Sequence, residues 1–267
     1  SEGVIDGLFG GRNSPTASYA MYVPDFHFDS AEGLWKGGLF WDGRATGATL
    51  GDPLADQALG PFLNPVEMAN PNKMTVVRDA LHSNYQSLFI NVCGNTNLGD
   101  QAEIETAYDC IASSIGTFER TKRFGKFTSK YDRYLKKCLK RAGSTPQAMQ
   151  DCAQGIGDDA QTAADKVFAN AEWKGLQLFM GENNNDGVMD KGEGAMCSAC
   201  HVADWTDGKD YTRNVQSPSW APDGMVPPVF TDHTFDNLGV PKNPHVLTVN
   251  NAPDLGLGER EPGQDLE

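Results

Sequence analysis

A chain of 267 residues, 39% of them hydrophobic, can bury a real core and has room for one large domain or two small ones. Its formal charge of −14 argues against nucleic acid, whose phosphates would repel it, and fits either plain solubility or the steering of a basic partner. It contains no apolar run of about eighteen residues, so no helical membrane span is expected, and the lack of a visible signal peptide fits a mature or trimmed chain.

Residues 1–64 are rich in Gly, Pro and aromatic residues and show little periodicity. Gly3, Gly7, Gly10 and Gly11 lead into Arg12-Asn13-Ser14-Pro15-Thr16, a run that reads as ordered loop. Gly38-Leu39-Phe40-Trp41-Asp42-Gly43-Arg44 sets two aromatic rings against a turn, the usual pattern of core beneath a loop. A helix is expected over 72–91, starting after Pro71, with Val76, Val77, Ala80 and Leu81 on one side and Leu88 and Phe89 near its end. Another is expected over 101–120, where Ile104, Tyr108, Ile111, Ile115 and Phe118 form one apolar stripe. Residues 128–141 put Tyr131, Leu135 and Leu139 on one face. Lys136, Lys137, Lys140 and Arg141 crowd the last turns, where cations suit the helix dipole, and they are not read as a binding patch. Thr145-Pro146 opens a short helix through Cys152, as an N-cap followed by proline at the first helical position. A longer helix is expected over 160–180, burying Ala164, Val167, Phe168, Ala171, Leu178 and Phe179 and stopping at Gly181. No strand pattern stands out. Beyond His201 the chain is Pro-rich and irregular, so the expected fold is mainly α, with long loops wrapped around a prosthetic group.

The prosthetic group is indicated by Met196-Cys197-Ser198-Ala199-Cys200-His201, which contains the C-x-x-C-H pattern of c-type haem attachment. Two thiols one helical turn apart can each add to a vinyl group of one porphyrin, and the following imidazole then lies where it can ligate iron. A zinc site would need a second ligand pair at similar spacing, and a redox dithiol normally follows a strand. The other cysteines fall as Cys93 with Cys110 and Cys138 with Cys152, which read as two short-range disulfides, although four cysteines allow three pairings. Disulfides and haem attachment together suggest an oxidising compartment, periplasmic or extracellular. Of the five histidines only His201 lies in a motif; His27, His82, His233 and His245 read as solvated or locally hydrogen-bonded.

Between the long helix and this motif, residues 182–193 align with the twelve-residue EF-hand loop. Glu182, Asn184, Asp186, Val188 (through its carbonyl), Asp190 and Glu193 would be the calcium ligands, with Gly187 at the sharp turn. Glu182 departs from the usual aspartate. A solvated Asn/Asp/Gly turn is the competing reading.

Several runs together carry a family resemblance: Arg12-Asn13-Ser14-Pro15-Thr16, Phe40-Trp41-Asp42-Gly43-Arg44-Ala45, Gly60-Pro61-Phe62-Leu63-Asn64-Pro65-Val66-Glu67-Met68, Phe118-Glu119-Arg120-Thr121, the C-x-x-C-H at 197–201, and Asn237-Leu238-Gly239-Val240-Pro241. In this order they resemble the bacterial dihaem cytochrome c peroxidases, a family that includes the related enzyme oxidising tryptophans during methylamine dehydrogenase maturation. The resemblance implies two cytochrome c-like domains, expected as 1–159 (peroxidatic) and 160–267 (electron transfer). It implies haem c at Cys197, Cys200 and His201, with His201 on the iron and a second haem in the intact protein. Trp41 matches an electron relay between the haems, Glu67 the acid of the peroxide pocket, and Asn13 a ligand of an inter-domain calcium ion.

The sequence departs from the family pattern in four places. Only one C-x-x-C-H is present, the family's first lying upstream of the Arg-Asn-Ser-Pro-Thr run. The segment supplying the distal ligand of the second haem is also missing, so the chain is expected to be a piece of a longer or processed protein. Ile5 stands where some peroxidases carry a distal histidine, and Asp236 where histidine is frequent. The implied activity is reduction of hydrogen peroxide to water with electrons from a small cytochrome c or cupredoxin, in a family where dimers are common. The alternatives are a protein-modifying dihaem oxidase of the same fold, and a non-catalytic monohaem electron-transfer cytochrome.

Overall fold

The computed structural model describes residues 2–181, 194–195, 197–209, 211, 213, 215–222, 224–236, 239 and 254–259. The chain forms two compact units, one of Ser1–Phe124 with His233–Glu267, the other of Gly125–Asp232. Helices dominate both. The division expected at 159/160 falls inside a helix of the second unit, Gly157–Ala164.

In the first unit, α1 (Pro53–Ala58), α2 (Lys73–Leu81), α3 (Gln86–Cys93) and α4 (Gln101–Glu119) pack around Val76, Val77, Leu81, Phe89, Ile104 and Tyr108. The sequence gives no apolar period for α1, but its start is written in Asp52-Pro53: the Asp52 carboxylate accepts from Leu54 N at 2.9 Å and proline fills the first helical position. Arg120, in the Phe-Glu-Arg-Thr run at the end of α4, donates from Nε and Nη2 to the two oxygens of the same Asp52, 3.0 and 2.6 Å away. One carboxylate thus caps α1 and ties it to α4. Close packing follows, because Gly116 of α4 lies against the backbone of α1, where an added Cβ would meet Ala55 N at 3.1 Å.

This contact also rotates α4 relative to the expected stripe. Ile104 and Tyr108 are buried, but the inner face continues through Ala112 and Gly116 while Phe118 is left exposed. Small residues win there because the neighbouring helix is close. The single helix expected over 72–91 is two: Ser83 turns back, its Oγ donating to Ala80 O, and Tyr85 opens α3. A disulfide joins Cys93 of α3 to Cys110 of α4. Before α1, strands β1 (His27–Asp29) and β2 (Leu34–Lys36) pair antiparallel, with Phe28 opposite Trp35.

In the second unit, α5 (Lys130–Ala142), α6 (Pro146–Gln154) and α7 (Gly157–Ala164) pack together, with α8 (Asn170–Met180) closing the core. Ser129 starts α5 with a capping box: its Oγ accepts from Asp132 N, and the Asp132 carboxylate reaches back to Ser129 N at 2.7 Å. Thr145 caps α6 as the sequence suggests. Cys138 and Cys152 are bonded and buried between these two helices. Tyr131 and Tyr134 donate their hydroxyls to Ala153 O and Cys152 O, and burial pushes both phenols up, so they stay neutral donors.

The long helix expected over 160–180 is interrupted. Residues 165–169 turn between α7 and α8, with Phe168 stacked on Trp173, and the Glu172 carboxylate caps Ala169 N. Leu178, expected inside, is 48% exposed, and Trp173 and Met180 are buried instead. Against the expectation of no strands, β3 (Thr206–Asp207) and β4 (Met225–Val226) form a minimal ladder. Residues 182–193, with the predicted calcium loop, lie outside the described residues.

Leu135 is fully buried in this core. Leu135→Ala is expected to lower unfolding free energy by about 3 kcal/mol and Ser129→Ala by about 1 kcal/mol, read as shifted urea midpoints at an unchanged slope.

Candidate functional site

In the second unit the attachment motif at 197–201 lies against the end of α8. Ala195 N donates to Leu178 O at 2.7 Å, and Ser198 Oγ donates to Met180 O at 3.0 Å, so the segment is pinned to the end of α8. Cys197–Ala199 form a 3-10 turn, continued as His201 N donates to Cys197 O at 2.9 Å. Both thiols are free, Cys197 half-buried and Cys200 exposed.

His201 Nδ1 lies 2.9 Å from Phe230 O. A carbonyl only accepts, so the proton sits on Nδ1 and the Nε2 lone pair is left for a metal. Phe230 has φ 58°, a left-handed conformation unusual for an aromatic residue. Its ring is held edge-on by Tyr131 of α5 at 4.9 Å and Phe179 of α8 at 5.6 Å. Two unpaired thiols one turn apart, and an imidazole of fixed tautomer, fit a covalently held haem. His27 and His82 each bond a nearby backbone oxygen through Nδ1, as expected of locally satisfied histidines.

The first unit holds a cavity of about 820 Å³, within the usual range of ligand sites. Asn13, Trp41, Asp42, Arg44, Asn64 and Glu67 are among its walls, so the structure brings together three residues that the sequence analysis singled out. Trp41 is not core beneath a loop: it is 56% exposed, its indole N–H donating to Asn13 O at 2.7 Å. The reason is local. Leu39 and Ala45 exchange backbone hydrogen bonds at 2.9 and 3.2 Å and close a tight loop, putting Trp41 at its tip. Gly43 takes φ 64° there, where a Cβ would strike the rings of Phe235 and Phe26.

Beside Trp41, Asp42 is almost fully buried, a placement its charge alone would forbid. It accepts from Arg12, from Arg44 Nη1 at 3.0 and 2.9 Å, and from Arg44 N at 3.2 Å. Arg12 continues to Asp254, and the Arg44 guanidinium lies 3.6 Å from the Phe40 ring centroid. Burial alone would raise the Asp42 pKa, but the hydrogen bonds from Arg12 and Arg44 outweigh it and hold the carboxyl below the usual range. Arg12 and Asp42 were legible only as members of a motif, because nothing in a linear sequence shows which carboxylate is buried.

Glu67 sits in a turn built by Asn64, whose Oδ1 accepts from Val66 N at 3.1 Å and whose carbonyl accepts from Glu67 N at 3.0 Å. The first glycine loop is fastened to this turn: Val4 N donates to Glu67 O at 2.7 Å, and Gly3 lies where a Cβ would meet Val66 O at 2.2 Å. The Glu67 side chain is half-buried at the cavity wall, and its carboxylate has no hydrogen-bond or ion-pair partner among the described residues. The side-chain amide of Asn13 is likewise unengaged, its main-chain oxygen being taken by Trp41. No cluster of three or more His, Cys, Asp or Glu side chains suited to a metal occurs among the described residues.

A folded-state pKa below the unfolded value of about 4 means that Asp42 contributes stability above that pH and loses it as pH falls through the lower folded value. Asp42→Asn is therefore expected to destabilise the protein by about 2 kcal/mol at pH 7, with a difference that narrows below about pH 4, measured by denaturant unfolding across pH.

The sequence profile of the family described as "Di-haem cytochrome c peroxidase" matches residues 1–140, the stretch that contains the cavity loops. Over 184 residues the chain is 43% identical to the methylamine utilization protein MauG of Paracoccus denitrificans, covering 65% of this chain and 44% of MauG. Its fold is similar to that of the diheme peroxidase BthA of Burkholderia thailandensis, with TM-score 0.62, 27% identity, and coverage of 97% of this chain and 48% of BthA. A point variant of BthA matches with TM-score 0.61 and 26% identity, over the same 97% and 48%. The chain thus spans less than half the length of each of these relatives. On its motifs and on these matches, the chain belongs to the di-haem cytochrome c peroxidase family.

Proposed function

We propose that this chain is part of a periplasmic di-haem peroxidase that reduces hydrogen peroxide to two waters with two electrons and two protons. The observation that carries the reading is Glu67, an unpartnered carboxylate on the wall of the same cavity as Trp41 and Arg44, in the part of the chain matched to the family. Haem, when bound, supplies the iron that exchanges electrons with peroxide and donor.

The chain's own residues do the rest. Glu67 takes a proton from one peroxide oxygen and returns it to the other, so that water leaves rather than hydroxide. The Arg44 guanidinium, about half exposed beside the cavity, favours the negative charge that develops as the O–O bond breaks. Trp41, fixed by Asn13, serves as the electron relay.

In the second unit Cys197 and Cys200 would hold the electron-transfer haem, and His201, its Nδ1 engaged by Phe230 O, would ligate the iron through Nε2. The first unit is then peroxidatic, and the family reading gives the intact protein a second haem. Asn13 would hold a calcium ion through its free side-chain oxygen. The donor is a small cytochrome c or cupredoxin. The disulfides Cys93–Cys110 and Cys138–Cys152 suit an oxidising compartment, and among the described residues no helix is long and apolar enough to cross a membrane.

A protein-modifying oxidase of the same fold is the second reading, favoured by the 43% identity to MauG and by Ile5, half exposed where some peroxidases have histidine. The full-length, haem-loaded protein decides between them. Peroxide-dependent oxidation of a reduced donor cytochrome supports the peroxidase; donor-independent peroxide use that leaves oxidised tryptophan in a protein substrate, seen by mass spectrometry, supports the oxidase. Two haems per polypeptide by mass with no turnover of either kind would reject both. In the peroxidase, Glu67→Gln is expected to lower kcat by about 10²- to 10³-fold while haem content stays unchanged.

A further inference from the structure

The charge along α5 does not fit a helix-dipole explanation. Over residues 126–141 the chain places Lys126, Lys130, Arg133, Lys136, Lys137, Lys140 and Arg141 against a single acid, Asp132, a net +6 inside a chain of −14. Dipole complementarity reaches only the last turn, yet these cations run the whole length of the helix. At ~100° per residue the six on α5 fall within an arc of about 140°, and all are exposed. Asp132 does not neutralise them, being buried and spent on the capping box.

Two of the six are paired, Lys130 with Glu172 and Arg141 with Asp159. Arg133, Lys136, Lys137 and Lys140 have no acidic partner among the described residues. A row of like charges left unpaired costs stability, since each (i, i+4) and (i, i+3) neighbour repels. On an otherwise acidic protein such a row is what a partner of opposite charge would meet.

We infer that the exposed face of α5 docks an acidic electron-carrier protein, which delivers electrons to the group held at Cys197, Cys200 and His201. This rests on the haem reading of that motif. The other face of α5 supplies the connection: Tyr131 packs 4.9 Å from Phe230, whose carbonyl fixes His201. One helix, with a diameter of about 10–12 Å, and the Tyr131–Phe230 contact lie between the docking surface and the iron ligand. One electron would pass from the carrier to the group that Cys197, Cys200 and His201 would hold, with no bond made or broken.

The residue types select the partner. All the apolar residues of α5 face inward, leaving nothing to enter a lipid bilayer, and no aromatic side chain stands among the cations to stack on bases. Lysine dominates, a hydrated point charge that steers a partner without locking it in place, as rapid exchange requires. With a screening length of about 8 Å at physiological salt, a small protein with a compact acidic patch responds to the unpaired cations of this face more than to the net charge of the chain.

The test uses the full-length, haem-loaded protein without peroxide. A reduced acidic cupredoxin is the probe and a basic c-type cytochrome the comparison; electron transfer is followed by stopped flow and binding by calorimetry. The acidic probe should react faster than the basic one, with a rate that falls steeply as salt is raised. Lys137→Glu/Lys140→Glu should slow it about tenfold or more at low salt, Lys137→Gln/Lys140→Gln less so, and Arg78→Glu/Lys209→Glu, with the same change in net charge, less than about twofold. Circular dichroism and thermal midpoints check that the variants are folded.

Indifference of the acidic probe to the α5 substitutions, an equal response to the Arg78/Lys209 control, or preference for the basic cytochrome would overturn the inference. So would lysine-dependent binding to phosphatidylserine vesicles without any effect on the cupredoxin. Because no peroxide is present, patch-dependent reduction with no peroxide turnover would leave the docking surface standing and sink only the peroxidase.

Discussion

The hydrogen bond from His201 Nδ1 to Phe230 O sets the chemistry available to the second unit. It decides which imidazole nitrogen carries the proton, and so which one offers a lone pair. That carbonyl is correctly aimed only because Phe230 accepts a left-handed backbone, and the residue is kept there by two rings from different helices, Tyr131 of α5 and Phe179 of α8. The packing of α5 against α6 and α7, the disulfide Cys138–Cys152 and the aromatic contacts of Tyr134 with Phe168 and Trp173 all stabilise the element that steadies Phe230. A ligand defined by five residues of sequence thus draws its tautomer from 29 residues downstream.

The first unit solves a different problem, how to present an indole to a cavity on a loop. A loop tip with an exposed tryptophan has little apolar burial to hold it. The structure fixes it by polar means. Trp41 is bonded to Asn13, and the next residue, Asp42, is bonded through Arg12 to the adjacent position of the same loop. Two neighbouring tethers between two loops remove the sliding that one would permit. The cost of burying a carboxylate is offset by surrounding it with the guanidinium groups of Arg12 and Arg44. Glu67, by contrast, is fixed only through its backbone turn, which leaves its carboxylate unpaired among the described residues at the cavity wall.

Charge is distributed with the same economy of purpose. The total of −14 describes the chain poorly, because cations are concentrated on one helix of the unit that carries the haem motif. A partner meets a local potential before it meets a net charge, and the two have opposite signs at α5.

Helix positions were largely legible in the sequence, since α2, α4, α5 and α6 each carry an apolar period or a capping residue, and the haem attachment pattern needs no fold to be recognised. The family resemblance was equally legible, carried by short runs in a fixed order. Breaks were not: Ser83 ends one helix and residues 165–169 end another through contacts that no periodicity records. Nor did apolarity tell inside from outside where helices approach closely, so Gly116 and Ala112 take the place expected of Phe118. The sequence by itself determined the chemistry on offer, two thiols and an imidazole at fixed spacing, because covalent spacing is local. The tertiary structure alone decided that imidazole's tautomer, the burial of Asp42 between two arginines, the exposure of Trp41 and the grouping of Trp41, Arg44 and Glu67 around one cavity. Each of these depends on residues distant in the chain, and only folding brings them within hydrogen-bond reach.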